Sequence, residues 1–418
     1  MQTQKTVIVV GAGPAGLMAA EAICAAGHKV EVYDAKPSAC RKFLLAGVGG
    51  MNITHSEPYD DFIQRYYDKA QWLDSAVSQF NADALRQWIH GLGIETFVGS
   101  SGRVFPADMK AAPLLRNWLK RLREAGVLFH MKHRLINLDQ HSLEFENGDC
   151  KTVVQADAIV LAMGGASWPK LGSDGAWQKI LSAVGVFSHP LQSANCGFYS
   201  QWSEHLQQQY AGSPLKNIGF CFTTSQGQQI QRKGECILSR DGMEGSLIYA
   251  FSKYLRDAIN QTGQAKLLID LLPNHTEQQI LKKLQLKRDK DSFSKYLKRS
   301  VGLSGVKAAM LYECCNKEQL HNPQSLAASI KALPVSFHKV NPIEEAISSA
   351  GGVCQSSVDK HLMLTVLPGI FCAGEMLDWE APTGGYLLTA CFATGRLAAQ
   401  GVCHYLQSTS NIPVQSLI

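Results

Sequence analysis

The first forty residues alternate between apolar runs and glycine-rich or polar breaks. Thr6 to Val10 is a short uninterrupted apolar run, which is typical of a strand buried on both faces. It leads into the glycine-rich segment 11–16, then into a helix-like stretch, and then into a second strand that ends at Asp34. This order predicts a βαβ unit, from which doubly wound parallel sheets are built.

Later apolar runs predict that the same sheet is completed far along the chain. Ala158 to Ala162 is expected to form a strand that ends before Gly164, and a second buried strand is expected to end before Gly374 and Glu375. A helix is expected from Thr383 to about residue 400. Between the early strands, the pattern predicts helices near 70–91 and 110–125, a hairpin at 98–106 and three short strands within 128–154.

The pattern changes after about Pro190, where short strand-like runs replace the βαβ order. A helical block follows, and Thr276 with Gln279 forms a capping-box pattern at its start. The fold class expected is therefore α/β, with a discontinuous Rossmann-like domain and an inserted domain. The predicted limits are 1–190 with 346–418 for the first and 191–345 for the second, β-rich over 191–250 and helical over 251–330.

The glycine-rich segment has the residue types that a dinucleotide requires. Gly11 permits a tight turn, Gly13 lets the backbone approach a pyrophosphate, and Gly16 lets the helix pack on the sheet. Pro14 suits the first helical turn, whose free N–H groups attract an anion. Asp34 is placed to accept hydrogen bonds from ribose hydroxyls. The alternative is a glycine turn in some other doubly wound protein.

A second strand end with glycine and a carboxylate, near the C-terminus, favours FAD over a shorter ligand. Glu375 is expected to hydrogen-bond the ribityl chain. Gly384 and Gly385 are expected to aim helix N-terminal N–H groups at the N1–C2=O edge of the flavin, or else only to make room for the helix start.

Composition narrows the class of protein. The chain has 418 residues, and no segment has the roughly 18 uncharged apolar residues of a membrane span, so we expect a cytoplasmic protein. The twelve cysteines include no CxxC, and the thirteen histidines show no metal-ligand spacing, so no metal is predicted. The net charge of +5 is too small to mark a nucleic-acid binder. Oligomeric state stays open.

Five motifs together resemble the BaiN-like, or aminoacetone-oxidase-like, family of two-dinucleotide-binding-domain flavoproteins. They are GAGPAG at 11, RKFLLAG at 41, VFPADMKAAPLLR at 104, GGASWPKLGSDG at 164 and AGEMLDWEAPTGGYLLTACFATG at 373. The resemblance implies FAD held non-covalently by an interrupted Rossmann-like domain. Many relatives have a GGGRCN-type stretch where this chain has Gly47 to Asn52, with Gly50 and Met51 in place of the Arg and Cys. A catalytic cysteine is therefore excluded there.

The candidate site follows from these motifs, with no catalytic residue assigned. Arg41 and Lys42 would neutralise phosphate charge or form a solvated basic turn. Lys110 would face the flavin or the insertion, or else lie on the surface at a helix start. Trp168, Asp174 and Trp379 would line the substrate cavity, and the alternative for the two tryptophans is packing in the core. The residues expected to contact the cofactor are Gly11, Gly13, Pro14, Ala15, Gly16, Asp34, Ala35, Lys36, Arg41, Lys42, Asn52, Arg134, Leu135, Ala162, Gly164, Gly374, Glu375, Thr383, Gly384, Gly385 and Tyr386.

The leading hypothesis is an FAD-dependent oxidoreductase acting on a small organic molecule. In one form of the reaction, NAD(P)H drives the reduction of an unsaturated substrate. NAD(P)H would then dock transiently, because the single GxGxxG motif serves FAD. In the other form, an amine or aminoketone is oxidised, with oxygen as acceptor. A rival is an RNA-modifying flavoprotein, since Lys282 to Lys307 has nine Lys or Arg against two Asp, with Phe293 and Tyr296 as stacking candidates. Nucleic acid is the less favoured partner. A third hypothesis is a flavin-binding protein without catalysis.

Overall fold

The computed structural model describes residues 4–45, 50–286 and 292–410. The predicted α/β fold class is confirmed, because a parallel sheet is flanked by helices and accompanied by antiparallel sheets. The strands in chain order are β1 (Thr6–Val10), β2 (Lys29–Asp34), β3 (Thr54–His55), β4 (Thr96–Val98), β5 (Arg103–Pro106), β6 (Leu128–Met131), β7 (Arg134–Leu138), β8 (Ser142–Asn147), β9 (Cys150–Gln155), β10 (Ala158–Leu161), β11 (Ser188–Ala194), β12 (Phe198–Tyr199), β13 (Ser213–Thr223), β14 (Gln229–Ser239), β15 (Gly242–Glu244), β16 (Ala265–Asp270), β17 (Leu333–Phe337), β18 (Lys339–Val340), β19 (Ser348–Val353) and β20 (Ile370–Cys372).

The helices lie between these strands. In chain order they are α1 (Pro14–Ala25), α2 (Arg41–Leu45), α3 (Tyr59–Ile63), α4 (Ala70–Val77), α5 (Ala82–His90), α6 (Ala111–Glu124), α7 (Trp177–Ala183), α8 (Glu204–Tyr210), α9 (Ser246–Thr262), α10 (Glu277–Leu284), α11 (Phe293–Val301), α12 (Val306–Cys314), α13 (Lys317–His321), α14 (Pro323–Lys331) and α15 (Tyr386–Ser410). Short 3₁₀ helices occur at Gln64–Lys69, Pro169–Leu171, Ile343–Glu345, Gln355–Ser357 and Gly374–Met376.

The chain divides into two compact units, Met1–Gln192 with Ile347–Ile418, and Ser193–Ala346. The first unit is built on a five-stranded parallel sheet in the order β20-β10-β1-β2-β6. β1 is central, and its buried residues explain the apolar run of the sequence. Because the strands are parallel, their carboxyl ends meet at one edge, where α/β proteins bind ligands.

The first unit also contains two small antiparallel sheets and differs from the predicted pattern in two places. The predicted hairpin is present, with Val98 opposite Val104 in the pair β4 and β5. The three strands predicted within 128–154 are four, because β6 joins the parallel sheet while β7, β8 and β9 form a separate meander. The final helix begins at Tyr386, after two glycines with positive φ, and continues to Ser410.

The second unit has a seven-stranded sheet in the order β17-β16-β13-β14-β15-β12-β18. The sequence predicts a helical segment over 251–330, and one strand, β16, lies inside it. β16 follows helix α9, and β17 follows the helical block and pairs with β16 antiparallel. The sheet and helices share one apolar core, which includes Phe220, Phe251 and Phe337. The predicted capping box of Thr276 and Gln279 is confirmed at the start of α10.

Two negative findings bear on the class of protein. Among the described residues, no helix combines the length and the apolar character needed to cross a bilayer.

The twelve cysteines are free thiols, and Cys314 and Cys315 lie at the end of α12 without a bridge between them. Burial raises the pKa of the Cys314 thiol to about 12, which suits a packing group rather than a nucleophile.

Candidate functional site

The turn between β1 and α1 leaves a space beside its backbone. Gly11 has a φ of 106°, and a Cβ there would collide with the Ala162 carbonyl at the end of β10. Gly13 has a φ of −84°, and no atom beyond its own chain neighbours lies within 4 Å of the position its Cβ would take. Pro14 is the first residue of α1. Because helix N-termini carry unpaired N–H groups, the open space beside Gly13 is suited to an anion.

Asp34 ends β2 beside this turn. Its Oδ2 accepts a hydrogen bond of 2.7 Å from the Ala12 N–H, and its Oδ1 accepts one of 2.7 Å from the Lys36 N–H. Burial raises the pKa of Asp34, and the hydrogen bonds from the two backbone N–H groups oppose that rise. Each oxygen keeps a further lone pair, so the carboxylate can still accept from ligand hydroxyls. Gly16 packs inside the turn, against the Gly11 carbonyl.

A cavity opens at the carboxyl edge of the parallel sheet and brings together residues from distant parts of the first unit. Fourteen of the predicted cofactor residues line it. They are Gly11, Gly13, Pro14, Ala15, Asp34, Ala35, Arg41, Lys42, Arg134, Leu135, Ala162, Gly164, Gly374 and Glu375. The other predicted residues, Gly16, Lys36, Asn52, Thr383, Gly384, Gly385 and Tyr386, are not part of this lining.

Several lining residues were not among those that the sequence suggested for the cofactor. They are Val10, Tyr33, Ser38, Cys40, Phe43, His133, Met163, Leu171, Gly172, Ser173, Asp174, Ala176, Trp177, Ile180, Ala373 and Cys391. Asp174 accepts a hydrogen bond of 2.7 Å from Arg134, so the two side chains form an ion pair at the cavity wall. The motif that begins at Gly164 contains the lining residues Leu171 to Asp174. Its resemblance to the family is the sequence signal that indicates these residues.

Lys42 and Glu375 form an ion pair inside the cavity. The Lys42 ammonium lies 2.8 Å from Glu375 Oε2 and 2.6 Å from the Ser167 hydroxyl oxygen. Glu375 Oε1 also accepts a hydrogen bond of 2.9 Å from the Ser349 N–H. Lys42, suggested as a phosphate partner, and Glu375, suggested as a ribityl partner, thus neutralise each other in this structure.

The second group of predicted residues gathers around β3. A Cβ at Gly385 would collide with the backbone of Thr54, so the glycine allows the start of α15 to lie against this strand. Asn52 donates hydrogen bonds to the carbonyls of Thr54, at 2.8 Å, and Val104, at 3.1 Å. The contact with Thr54 therefore supports the alternative role of Gly385, which is to make room for the start of the helix.

Tyr386 anchors the first turn of α15. Its hydroxyl donates a hydrogen bond of 2.7 Å to Glu57, which Arg65 also contacts with two nitrogens. Burial raises the pKa of Glu57, but the hydrogen bonds from Arg65 and Tyr386 outweigh burial and hold this pKa below its ordinary value. The helix terminus is consequently held rigidly at the place where the sequence predicts the flavin edge.

The remaining candidates divide between the core and the surface. Trp379 is buried and donates a hydrogen bond of 3.0 Å to the Gly374 carbonyl. Trp168 is 40% exposed and has a φ of 59°. Lys110 is the N-cap residue of α6. Met51, which replaces the cysteine of relatives, is fully buried, and residues 46–49 of that stretch lie outside the described residues.

The cavity fits the adenosine and pyrophosphate portion of FAD. The space beside Gly13 faces a helix N-terminus, and a buried carboxylate, Asp34, lies at the neighbouring strand end. Glu375 and Lys42 also line the cavity. The residues predicted for the flavin edge, Gly384 and Gly385, are not part of this lining.

The chain is similar to known proteins over most of its length. Residues 5–401 match a family model described as HI0933-like protein Rossmann domain. The chain is 22% identical over 414 residues to the 3-dehydro-bile acid delta(4,6)-reductase of Clostridium scindens, covering 94% of this chain and 97% of the relative. It is 22% identical over 403 residues to the ribosomal RNA dihydrouridine synthase of Escherichia coli, covering 94% and 96%. A solved flavocytochrome c3 fumarate reductase is 17% identical with a TM-score of 0.49, covering 96% of this chain and 78% of that one.

Proposed function

The chain belongs to the HI0933-like Rossmann-domain family, and from this premise we propose that it uses FAD to reduce a carbon–carbon double bond conjugated to a carbonyl group. The predicted family and the FAD-dependent oxidoreductase class are confirmed. The substrate and the electron donor are the proposed part. The observation that carries the FAD part of the proposal is the cavity where Gly13, Asp34, Arg134 and Glu375 come together.

The chain's own residues have distinct parts in holding the cofactor. The N–H groups at the start of α1 would donate to the pyrophosphate beside Gly13, and Asp34 would accept from the adenosine ribose. Glu375 would accept from ribityl hydroxyls while it keeps Lys42 in place. When bound, FAD supplies the two-electron chemistry at its N5 position.

The substrate class is suggested by two relatives. One is named a delta(4,6)-reductase of a 3-dehydro-bile acid, and the other a dihydrouridine synthase. Both names describe the addition of two hydrogens across a carbon–carbon double bond that is conjugated to a carbonyl, in a steroid ketone and in uracil. We infer the same bond type here. The unit Ser193–Ala346 is proposed to select the substrate, since the sequence predicts it as the inserted substrate domain.

Anaerobic stopped-flow absorbance tests the direction of the reaction. We expect NADH or NADPH to bleach the flavin of the holoprotein, and an α,β-unsaturated ketone to restore its absorbance without oxygen. The donor would dock transiently, because the one GxGxxG motif lines the proposed FAD cavity. Bleaching by an aminoketone, with recovery only on admission of oxygen, would replace this proposal with the oxidase alternative. No bleaching by any of these donors would favour a non-catalytic flavin protein.

An RNA substrate is the second candidate, because the relatives from Escherichia coli and Haemophilus influenzae are named ribosomal RNA dihydrouridine synthases. The sequence feature that suggested RNA is weaker in the structure. Phe293 and Tyr296, the expected stacking residues, are buried in the core of the second unit, and residues 287–291 lie outside the described ranges. Tight binding of a ribosomal RNA fragment that weakens steeply with salt would favour RNA over a small molecule.

A further inference from the structure

A histidine, a cysteine and an aspartate converge in the first unit, apart from the cavity. One ligand atom each from His189, Cys354 and Asp378 lies within 4.8 Å of the others. The His189 Nδ1 is 3.0 Å from Asp378 Oδ2. None of the three lines the cavity proposed for FAD.

The backbone holds these three residues in place. His189 is in β11, which pairs with β19, and Cys354 directly follows β19. The Asp378 N–H donates a hydrogen bond of 2.9 Å to the Val353 carbonyl. A parallel bridge between Val353 and Leu377 adds to this link. The three side chains therefore start from positions that the fold determines, as a metal site requires.

A cation is already attracted to this cluster. The Lys69 ammonium lies 2.7 Å from Asp378 Oδ2, the same oxygen that faces His189. The Asp378 side chain is 10% exposed, whereas that of Lys69 is 25% exposed. Lys69 has a flexible stem and reaches solvent, so another cation can displace it at a modest cost.

We propose that His189, Cys354 and Asp378 form a binding site for a divalent cation of the zinc type. A sulfur, an imidazole nitrogen and a carboxylate oxygen suit a borderline-soft ion, whereas magnesium and calcium prefer oxygen alone. Three protein ligands leave a fourth position for water. The His189 side chain is 52% exposed, which gives the ion a path from solvent.

When the divalent cation binds, the Lys69 ammonium leaves Asp378 and the Cys354 thiol loses its proton. Cys354 is a free cysteine, and an ordinary thiol carries its proton at neutral pH. On binding, the sulfur–metal bond forms and that proton passes to solvent. No oxidation or reduction takes place. The site does not depend on the reaction proposed for the FAD cavity.

Cobalt, a spectroscopic substitute for zinc, tests the site in the purified holoprotein. Its ligand-field bands lie to the red of oxidised flavin absorbance, and they are much more intense for four-coordinate than for six-coordinate cobalt. We expect one equivalent of Co²⁺ to give the intense bands, and Zn²⁺ to remove them. Cys354→Ser and His189→Ala should each weaken Zn²⁺ binding at least about tenfold, because loss of even an outer-shell partner of a metal ligand typically costs about that much. The matched control Cys403→Ser should bind as the wild type does.

Lys69→Met separates a metal site from a purely structural ion-pair cluster. If the ammonium competes with the metal, this variant should bind Zn²⁺ roughly fivefold more tightly, since one partly exposed ion pair no longer has to break. It also leaves all three ligands in place, so it is informative if Cys354→Ser fails to fold. No cobalt bands in the wild type, bands that persist in Cys354→Ser, or weaker binding by Lys69→Met would each overturn the proposal.

Discussion

Replacing Gly13 with valine is expected to give a folded protein that no longer retains FAD. The φ of −84° at this position suits any residue, and the space around its Cβ is open, so the fold itself tolerates a side chain. The same space is where the pyrophosphate would lie, and a β-branched side chain would fill it. We expect FAD affinity to fall at least about a hundredfold, which corresponds to about 3 kcal/mol.

The flavin-to-protein absorbance ratio measures this loss, and circular dichroism of the FAD-free protein checks the fold. Gly11→Ala is the matched control in the same turn. Its φ of 106° and the collision with the Ala162 carbonyl should destabilise the folded protein itself, by at least about 1–3 kcal/mol, with or without FAD. A folded Gly13→Val protein with the normal flavin ratio would show that the pyrophosphate lies elsewhere.

Glu375→Ala is expected to reduce both the stability of the FAD-free protein and its affinity for FAD. The Glu375 side chain is 12% exposed and accepts hydrogen bonds from Lys42 and from the buried Ser349 N–H. Its removal leaves both donors without their carboxylate partner, at a cost of about 1–3 kcal/mol. The Lys42 side chain is 29% exposed, so solvent recovers part of this energy and the lower half of that range is expected.

Urea unfolding of the FAD-free variants separates the two effects. Adding Lys42→Met to Glu375→Ala should restore part of the stability, because it removes the cation that lost its partner. The melting temperature is then followed against FAD concentration. A smaller rise with FAD in Glu375→Ala than in the wild type would show that the carboxylate binds the cofactor. Parallel curves would show that Glu375 is only structural.

The local parts of the fold could be predicted from the sequence. β1, the glycine turn and α1 depend on apolar runs and on backbone conformations that neighbouring residues determine. The capping box of Thr276 and Gln279 is equally local, since both hydrogen bonds span three residues. Such features follow from short-range sterics and hydrogen bonding, and therefore appear as short motifs.

The long-range pairings could not be predicted in the same way. Lys42 and Glu375 are 333 positions apart, and the motifs that contain them suggested separate ligand contacts for each. The cluster of His189, Cys354 and Asp378 shows no metal spacing because its members come from three segments that only the fold joins. Periodicity reports that a segment is buried, but it does not identify the partner that buries it.

The second unit illustrates the same limit. The sequence predicts a helical segment over 251–330, but β16 lies inside it and pairs with β17, which follows the helical block. Phe293 and Tyr296 were considered for RNA because they interrupt a basic run, and they are instead core residues. A helix with one apolar and one basic face has this composition whether or not it binds a nucleic acid.

The claim on which the proposed function depends is that the cavity of the first unit holds FAD, and the released chromophore tests it most directly. We expect the purified protein to be yellow, and acid precipitation to leave a colourless pellet and a supernatant whose flavin co-elutes with FAD. The adenosine portion is expected because Asp34 and the open space beside Gly13 suit its ribose and pyrophosphate. Recovery of FMN, a pellet that keeps its flavin, or a colourless protein that binds no added FAD would contradict the account.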